Sequence, residues 1–347
     1  MSSSTNIKRA KFIAFSLSII IIMLGLAGIS IYNMLYKQFH NTESVYIYID
    51  SRKNFDDLLN QLKEKANLSS DKTFRLFADK MNYKNNMRTG RYELKKGEST
   101  IDFIRKLRSG NQSPINITFN NIRTKEDLSG RIATQLMIDS TELLSTLNDS
   151  AKVATLGFNS STIVSMFIPN TYEVYWDTSI DKMLKRMKKE YDGFWNDERK
   201  AKAKKIGLTQ TEVSTLASIV EEECTYSDEY PVVAGLYLNR IKKNIPLQAD
   251  PTVKFAVGDF TLKRILFKHL EIDSPYNTYK SSGLPPGPIR IPSIKSIDGT
   301  LNAQNNNYLY MCAKEDLSGR HNFATNLSEH NANASRYQRA LNERRIF

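Results

Sequence analysis

Residues 216–240 read LASIVEEECTYSDEYPVVAGLYLNR, an apolar helical pattern that runs directly into three carboxylates. A charge run ordinarily marks a solvated face or a helix end. At about 100° per residue, however, Val213, Leu216, Ile219 and Val220 share one stripe, and Glu223 falls inside it. Glu221 and Glu222 are rotated away from that stripe, because positions one and two apart on a helix do not face the same way. The helix start is legible in Thr209-Gln210-Thr211-Glu212, where a threonine and a glutamate three residues on can satisfy each other's end of the first turn. A carboxyl at the end of an apolar stripe loses hydration, which disfavours its ionised form and lifts its pKa towards the range a general acid needs. The position also suits an ordinary helix-end glutamate, so phase alone leaves both readings open.

Working outward, the chain has 347 residues, 40% hydrophobic and 10% aromatic, which is enough to bury a sizeable core in more than one domain and excludes a disordered chain. It carries 49 basic and 37 acidic residues, a net charge of +12, which suits an anionic partner such as a cell-wall polymer or lipid. The basic residues are scattered. Even the densest group, 182–205, is interleaved with acids and reads as solvated helix faces, and without a reading motif nucleic acid is not expected as a partner.

Residues 12–36 carry no charged side chain over a length exceeding the roughly 20 residues a membrane span requires. Lys8, Arg9 and Lys11 precede them, so 1–11 is expected as a cytoplasmic tail, 12–36 as an uncleaved single-pass anchor, and the remainder across the inner (cytoplasmic) membrane on its outer side. The bulky Tyr32-Asn33-Met34-Leu35-Tyr36 that ends the run does not resemble a small-residue cleavage site. Two cysteines, Cys224 and Cys312, do not make a disulfide scaffold.

After the anchor, 45–49 predicts a strand, 55–66 and 73–81 helices, 89–94 a turn and second strand, and 99–108 another helix. The turn-rich 109–114 reads as a boundary. A strand follows at 115–119, then helices to about 156, a proline-punctuated loop at 166–172, a long basic helix, and the helix begun by Thr209. Ser227 is expected to cap a further helix to about Lys243, and from Gln248 onward the chain is rich in Pro, Gly, Asn and Tyr. The fold class expected is α+β.

His40, His269, His321 and His330 show no metal-binding spacing, no GxSxG elbow is present, and nothing resembles a phosphate-cradling loop, so no metal or organic cofactor is expected. Carboxylate chemistry remains, and glycosidic bonds are its natural substrate: a protonated carboxyl delivers its proton to the leaving oxygen and then serves as a base.

The order of the elements Ala217 to Glu223, Asn239-Arg240, Gln248 to Thr252, Tyr276 to Tyr279, Gly283 to Ile289 and His321 to Asn331 resembles the YceG-like (MltG) family of endolytic murein transglycosylases over nearly the whole chain. The resemblance implies a LysM-like unit at 44–110, a catalytic domain at 115–347 and a membrane-anchored lytic transglycosylase cutting between N-acetylmuramic acid and N-acetylglucosamine. It implies Glu223 as the catalytic acid/base, with Glu221, Gln248, Asp250, Tyr276 and Asn277 as glycan contacts, peptidoglycan strands as substrate and strand-polymerising synthases as partners. The alternatives are a hydrolase using Asp250 to position water and a non-catalytic wall-binding scaffold. Three departures from the family pattern stand out: Cys224 where threonine is usual, Asn170 in place of aspartate, and Ile291-Pro292-Ser293 in place of Asn-Pro-Gly.

Overall fold

The computed structural model describes residues 2–262 and 264–344; the side chains of 2–10 and 36, including Lys8 and Arg9 of the expected cytoplasmic tail, lie outside what is described. The chain is mixed α+β and separates into two compact units, one of Met1–Ile115 with Glu173–Asp177, the other of Asn116–Tyr172 with Thr178–Phe347. Among the described residues, the strands form three two-stranded sheets.

The first unit begins with α1 (Ser2–Tyr36), whose stretch Lys11–Leu35 is apolar and long enough to cross a membrane and buries none of itself against the protein. Then come β1 (Val45–Ile49), α2 (Phe55–Ala66), α3 (Asp71–Lys80), β2 (Gly90–Leu94) and α4 (Thr100–Ser109). β1 and β2 pair antiparallel with Val45 opposite Leu94 and Ile49 opposite Gly90, which puts Ile47 and Tyr92 together on the buried face. Each helix start is fixed by a short polar side chain: Asn54 accepts from Asp56 and Asp57 N–H, Ser70 from Thr73 N–H, and Ser99 from Asp102 N–H. Leu58, Leu62, Phe74, Phe103 and Leu107 close one core, each side chain worth about 1.5–3 kcal/mol when fully buried.

The chain continues through β3 (Ile115–Thr118) and β4 (Thr171–Val174), each divided between the two units, while the second unit holds α5 (Lys125–Ala133), α6 (Ser140–Asn148), α7 (Ser150–Ala154), α8 (Ile180–Phe194), α9 (Asp197–Ile206), α10 (Gln210–Glu223), α11 (Tyr230–Lys242), α12 (Asp250–Val257), α13 (Phe267–Leu270), α14 (Ile294–Leu301), β5 (Tyr310–Ala313), β6 (His321–Ala324) and α15 (Leu327–Glu343). The long basic helix expected before Thr209 is two helices, α8 and α9. Trp195 is fully buried at the end of α8, and the Asn196 side chain accepts from Arg199 N–H to start α9. The expected cap at Ser227 is also corrected, because Ser227–Glu229 forms a 3-10 turn and α11 begins at Tyr230 with proline in its first turn.

α10 is the centre of this unit. Thr209 and Glu212 form the reciprocal capping box at its start, and every residue from Val213 to Val220 is buried, so the helix is covered all round and not along one stripe. Its polar residues are satisfied locally or by close neighbours. Thr215 Oγ1 donates to Thr211 O at 2.8 Å, Ile289 N–H donates to Ser218 Oγ at 3.0 Å, and Ser296 Oγ on α14 donates to the carbonyl of Ala217. Close approach recurs in the proline-rich segment, where a Cβ on Gly287 would stand 2.1 Å from the carbonyl oxygen of Ser161.

Candidate active site

Glu223 is the last residue of α10, delivered to the wall of a cleft of about 390 Å³. Its Oε1 accepts from the Tyr237 hydroxyl of α11 at 2.9 Å. Burial lifts the Glu223 carboxyl to about 7; the Tyr237 bond opposes that rise, and the neighbouring negative charges of Asp250 and Glu222 reinforce it. A group with that pKa holds its proton in about half of the molecules at neutral pH, which suits one carboxyl to give and take the same proton. Tyr237, fully enclosed and beside that carboxylate, is held well above the ordinary phenol value and remains a donor.

The cleft's other wall is built by the loop 247–252 and the turn 276–279. Gln248 adopts a left-handed backbone, φ +52°, a conformation that costs a non-glycine residue about 1 kcal/mol or more. It is held there by its own N–H donating to Thr278 O at 3.0 Å, by Ala249 N–H donating to Thr278 Oγ1, and by the buried Thr252–Thr278 hydroxyl pair at 2.8 Å. Arg240, only 6% exposed, gives its donors to Pro246 O, Leu309 O and Gln248 Oε1, at 2.6 Å in the last case, so it braces the wall around the glutamine side chain. Asp250 Oδ1 accepts from Tyr279 OH at 2.6 Å.

Of the residues singled out from sequence, Glu223, Gln248 and Asp250 line this cleft. Glu221, Tyr276 and Asn277 are placed elsewhere. Glu221 accepts from the backbone N–H of Ser293 at 2.6 Å, and Ser293 in turn caps α14. Tyr276 packs its ring on Phe255, centroids 4.8 Å apart. Asn277, fully buried, spends its amide on the carbonyls of Leu270 and Ile272 and accepts from Tyr279 N–H. Asn170 accepts from Thr171 N–H at 2.8 Å. Glu222, rotated away from the apolar stripe, is not solvated: Arg123 and Arg290 both donate to its carboxylate.

Sequence reasoning passed over Tyr237 and Tyr310, and gave no individual site role to Tyr279 and His330 within the elements it named; all four line the cleft. The signal available for Tyr237 was its place near Asn239-Arg240 on the helix that follows Glu223. His330 stacks on Tyr310 with centroids 5.3 Å apart, and burial lowers its pKa. His321 is fixed by Glu229, which accepts from its backbone N–H at 3.0 Å and lies 3.1 Å from its Nδ1. Among the described residues, Cys224, Glu229 and His321 bring one ligand atom each within 4.8 Å of one another. Cys224 and Cys312 are both free.

Residues 47–336 match the YceG-like family. An endolytic murein transglycosylase of Bacillus subtilis (strain 168) is 31% identical over 87% of this chain and 87% of its own length. A protein of the same name from Streptococcus pneumoniae D39 is 26% identical over 84% of this chain, which spans only 58% of that longer relative. Among solved structures, a YceG-like protein from Listeria monocytogenes superposes with a TM-score of 0.55 at 27% identity, over 84% of this chain and 99% of that one.

Proposed function

The chain belongs to the YceG-like family, and from that membership we propose that it is an endolytic murein lytic transglycosylase whose single acid/base is Glu223. The observation that carries the assignment is the combination of a carboxyl lifted to about 7 and a tyrosine donor on its Oε1, at the wall of an open polar cleft. In the forward step the Glu223 carboxyl gives its proton to the glycosidic oxygen between N-acetylmuramic acid and N-acetylglucosamine. The resulting carboxylate, steadied by Tyr237, then removes the proton from the muramic 6-hydroxyl as that oxygen closes on the anomeric carbon. An attached hydroxyl reaches a very high effective concentration and needs no ordered water. Asp250, with one oxygen occupied by Tyr279, and Gln248, clamped by Arg240, are assigned to glycan binding. Tyr276 and Asn277 support the 276–279 turn from behind, and Glu221 ties the end of α10 to the start of α14.

Glu223→Gln keeps the shape of the side chain and removes its proton cycle. Purified full-length protein carrying it is expected to bind uncrosslinked glycan strands as the wild type does and to release no fragments. Cleavage at the wild-type rate would remove Glu223 from the mechanism.

The proposal extends to placement. α1 is assigned as a single-pass anchor in the cytoplasmic membrane, residues 44–110 as a LysM-like glycan-holding unit, 115–347 as the catalytic domain, and synthases of the strand as partners at the outer face. The β-α-α-β order of residues 45–94 supports the second of these, and the apolar, uncovered surface of Lys11–Leu35 the first. Protease added to intact spheroplasts should degrade the bulk of the chain. Survival until the membrane is lysed would reverse the topology, and failure of the synthases to co-purify with the anchored chain would remove them as partners.

A further inference from the structure

Cys224 follows Glu223 directly, is 8% exposed, and faces Glu229, 7% exposed, across the turn that joins α10 to α11; His321, from β6, completes the group. The separation between His321 Nδ1 and Glu229 Oε2 is 3.1 Å. Two ligands about 2.0–2.1 Å from a tetrahedral zinc stand roughly 3.3 Å apart, so these two atoms are already spaced as such a pair. The thiol, within 4.8 Å of both, needs to close by about 1 Å, a rotamer adjustment, to make the third. The negative charges that bear on Cys224 are those of Glu223, Glu229 and Asp228, an anionic setting that attracts a dication. Thiolate, imidazole and carboxylate together select a borderline-soft metal over calcium or magnesium.

We propose that Cys224, Glu229 and His321 form a divalent-cation site suited to Zn²⁺, one residue along the chain from Glu223. On binding, the Cys224 S–H bond breaks, a sulfur–metal bond forms and the proton leaves to solvent.

The test is a Co²⁺ titration of the purified full-length chain in detergent micelles, followed by displacement with Zn²⁺. A near-ultraviolet thiolate-to-cobalt band should appear at one equivalent and be removed by Zn²⁺. It should persist in Cys312→Ser and be absent in Cys224→Thr and in Cys224→Ser, each checked for an unchanged thermal transition. Zn²⁺ affinity should fall at least about tenfold in those Cys224 variants and in His321→Gln, the scale on which loss of a metal-site group is usually felt. No band in the wild type, a band that survives both Cys224 substitutions, or one lost in Cys312→Ser overturns the site.

Discussion

The Tyr237 hydroxyl donates to Glu223 Oε1 at 2.9 Å, joining the end of α10 to the middle of α11 in one charge-assisted bond. That bond lowers the carboxyl pKa against the larger effect of burial. Tyr237→Phe removes it, so the pKa must rise above about 7 and the alkaline limb of the pH–rate profile must move to higher pH. A hydrogen bond to a charged group is worth about 1.5–3 kcal/mol, which corresponds to a shift of about 1–2 pH units. Rates of glycan cleavage across pH 5 to 10 test this, and an unmoved limb would show that Tyr237 does not tune the acid.

The raised pKa also predicts how stability depends on pH. Glu223 moves from an ordinary value of 4.5 to about 7 on folding, so the folded state favours its protonated form. Its favourable contribution is complete below 4.5 and is lost as the pH climbs through 7. The full cost above that window is about 3 kcal/mol. Glu223→Gln, which cannot ionise, should therefore melt higher than the wild type at pH 8 and close to it at pH 4.5. A difference independent of pH, followed by circular dichroism, would contradict the burial assigned to this carboxyl.

Glu222 sits between Arg123 and Arg290, with side-chain exposures of 16%, 29% and 13%. Glu222→Gln leaves both cations with weaker partners and should lower stability by about 1–3 kcal/mol. It should retain most cleavage per folded molecule, with the alkaline limb slightly lowered because one negative charge near Glu223 has gone. Thermal melts beside initial rates make the comparison. Loss of cleavage as complete as in Glu223→Gln would move Glu222 into the reaction.

The elements most legible in the sequence are those with local chemistry of their own. The capping box at Thr209 and Glu212 and the apolar phase from Val213 to Val220 locate α10 and its terminal glutamate, and the helix 55–66 is bounded as its pattern predicts. Periodicity could not tell that α10 is buried on every side, because Ser214, Thr215 and Ser218 look polar in a sequence and are satisfied only by backbone carbonyls and by the packing of α14 and the segment at Ile289. The break at Trp195 is hidden for a related reason: a helical pattern of mixed charge on both sides does not reveal that a tryptophan turns inward. Likewise the polar residues of the proline-rich segments can serve a ligand or their own backbone. Gln248 lines the cleft, whereas the amide of Asn277 is spent on two carbonyls. Cys224, Glu229 and His321 carry no shared motif and meet only through the placement of β6 beside the α10–α11 turn.

The central claim is that one glutamate closes a ring on the substrate instead of activating water. Digestion of purified uncrosslinked glycan strands by the full-length protein in detergent, followed by borohydride treatment and mass spectrometry, tests it most directly. Ring closure by the attached hydroxyl leaves 1,6-anhydro-N-acetylmuramic acid ends, each about 18 mass units lighter than a hydrolysis product and not reducible by borohydride. The account predicts such ends in proportion to cleavage. Reducible muramic ends in that proportion would contradict it and make Asp250 the residue to test for positioning water, and no new ends at all would leave a protein that holds glycan without cutting it.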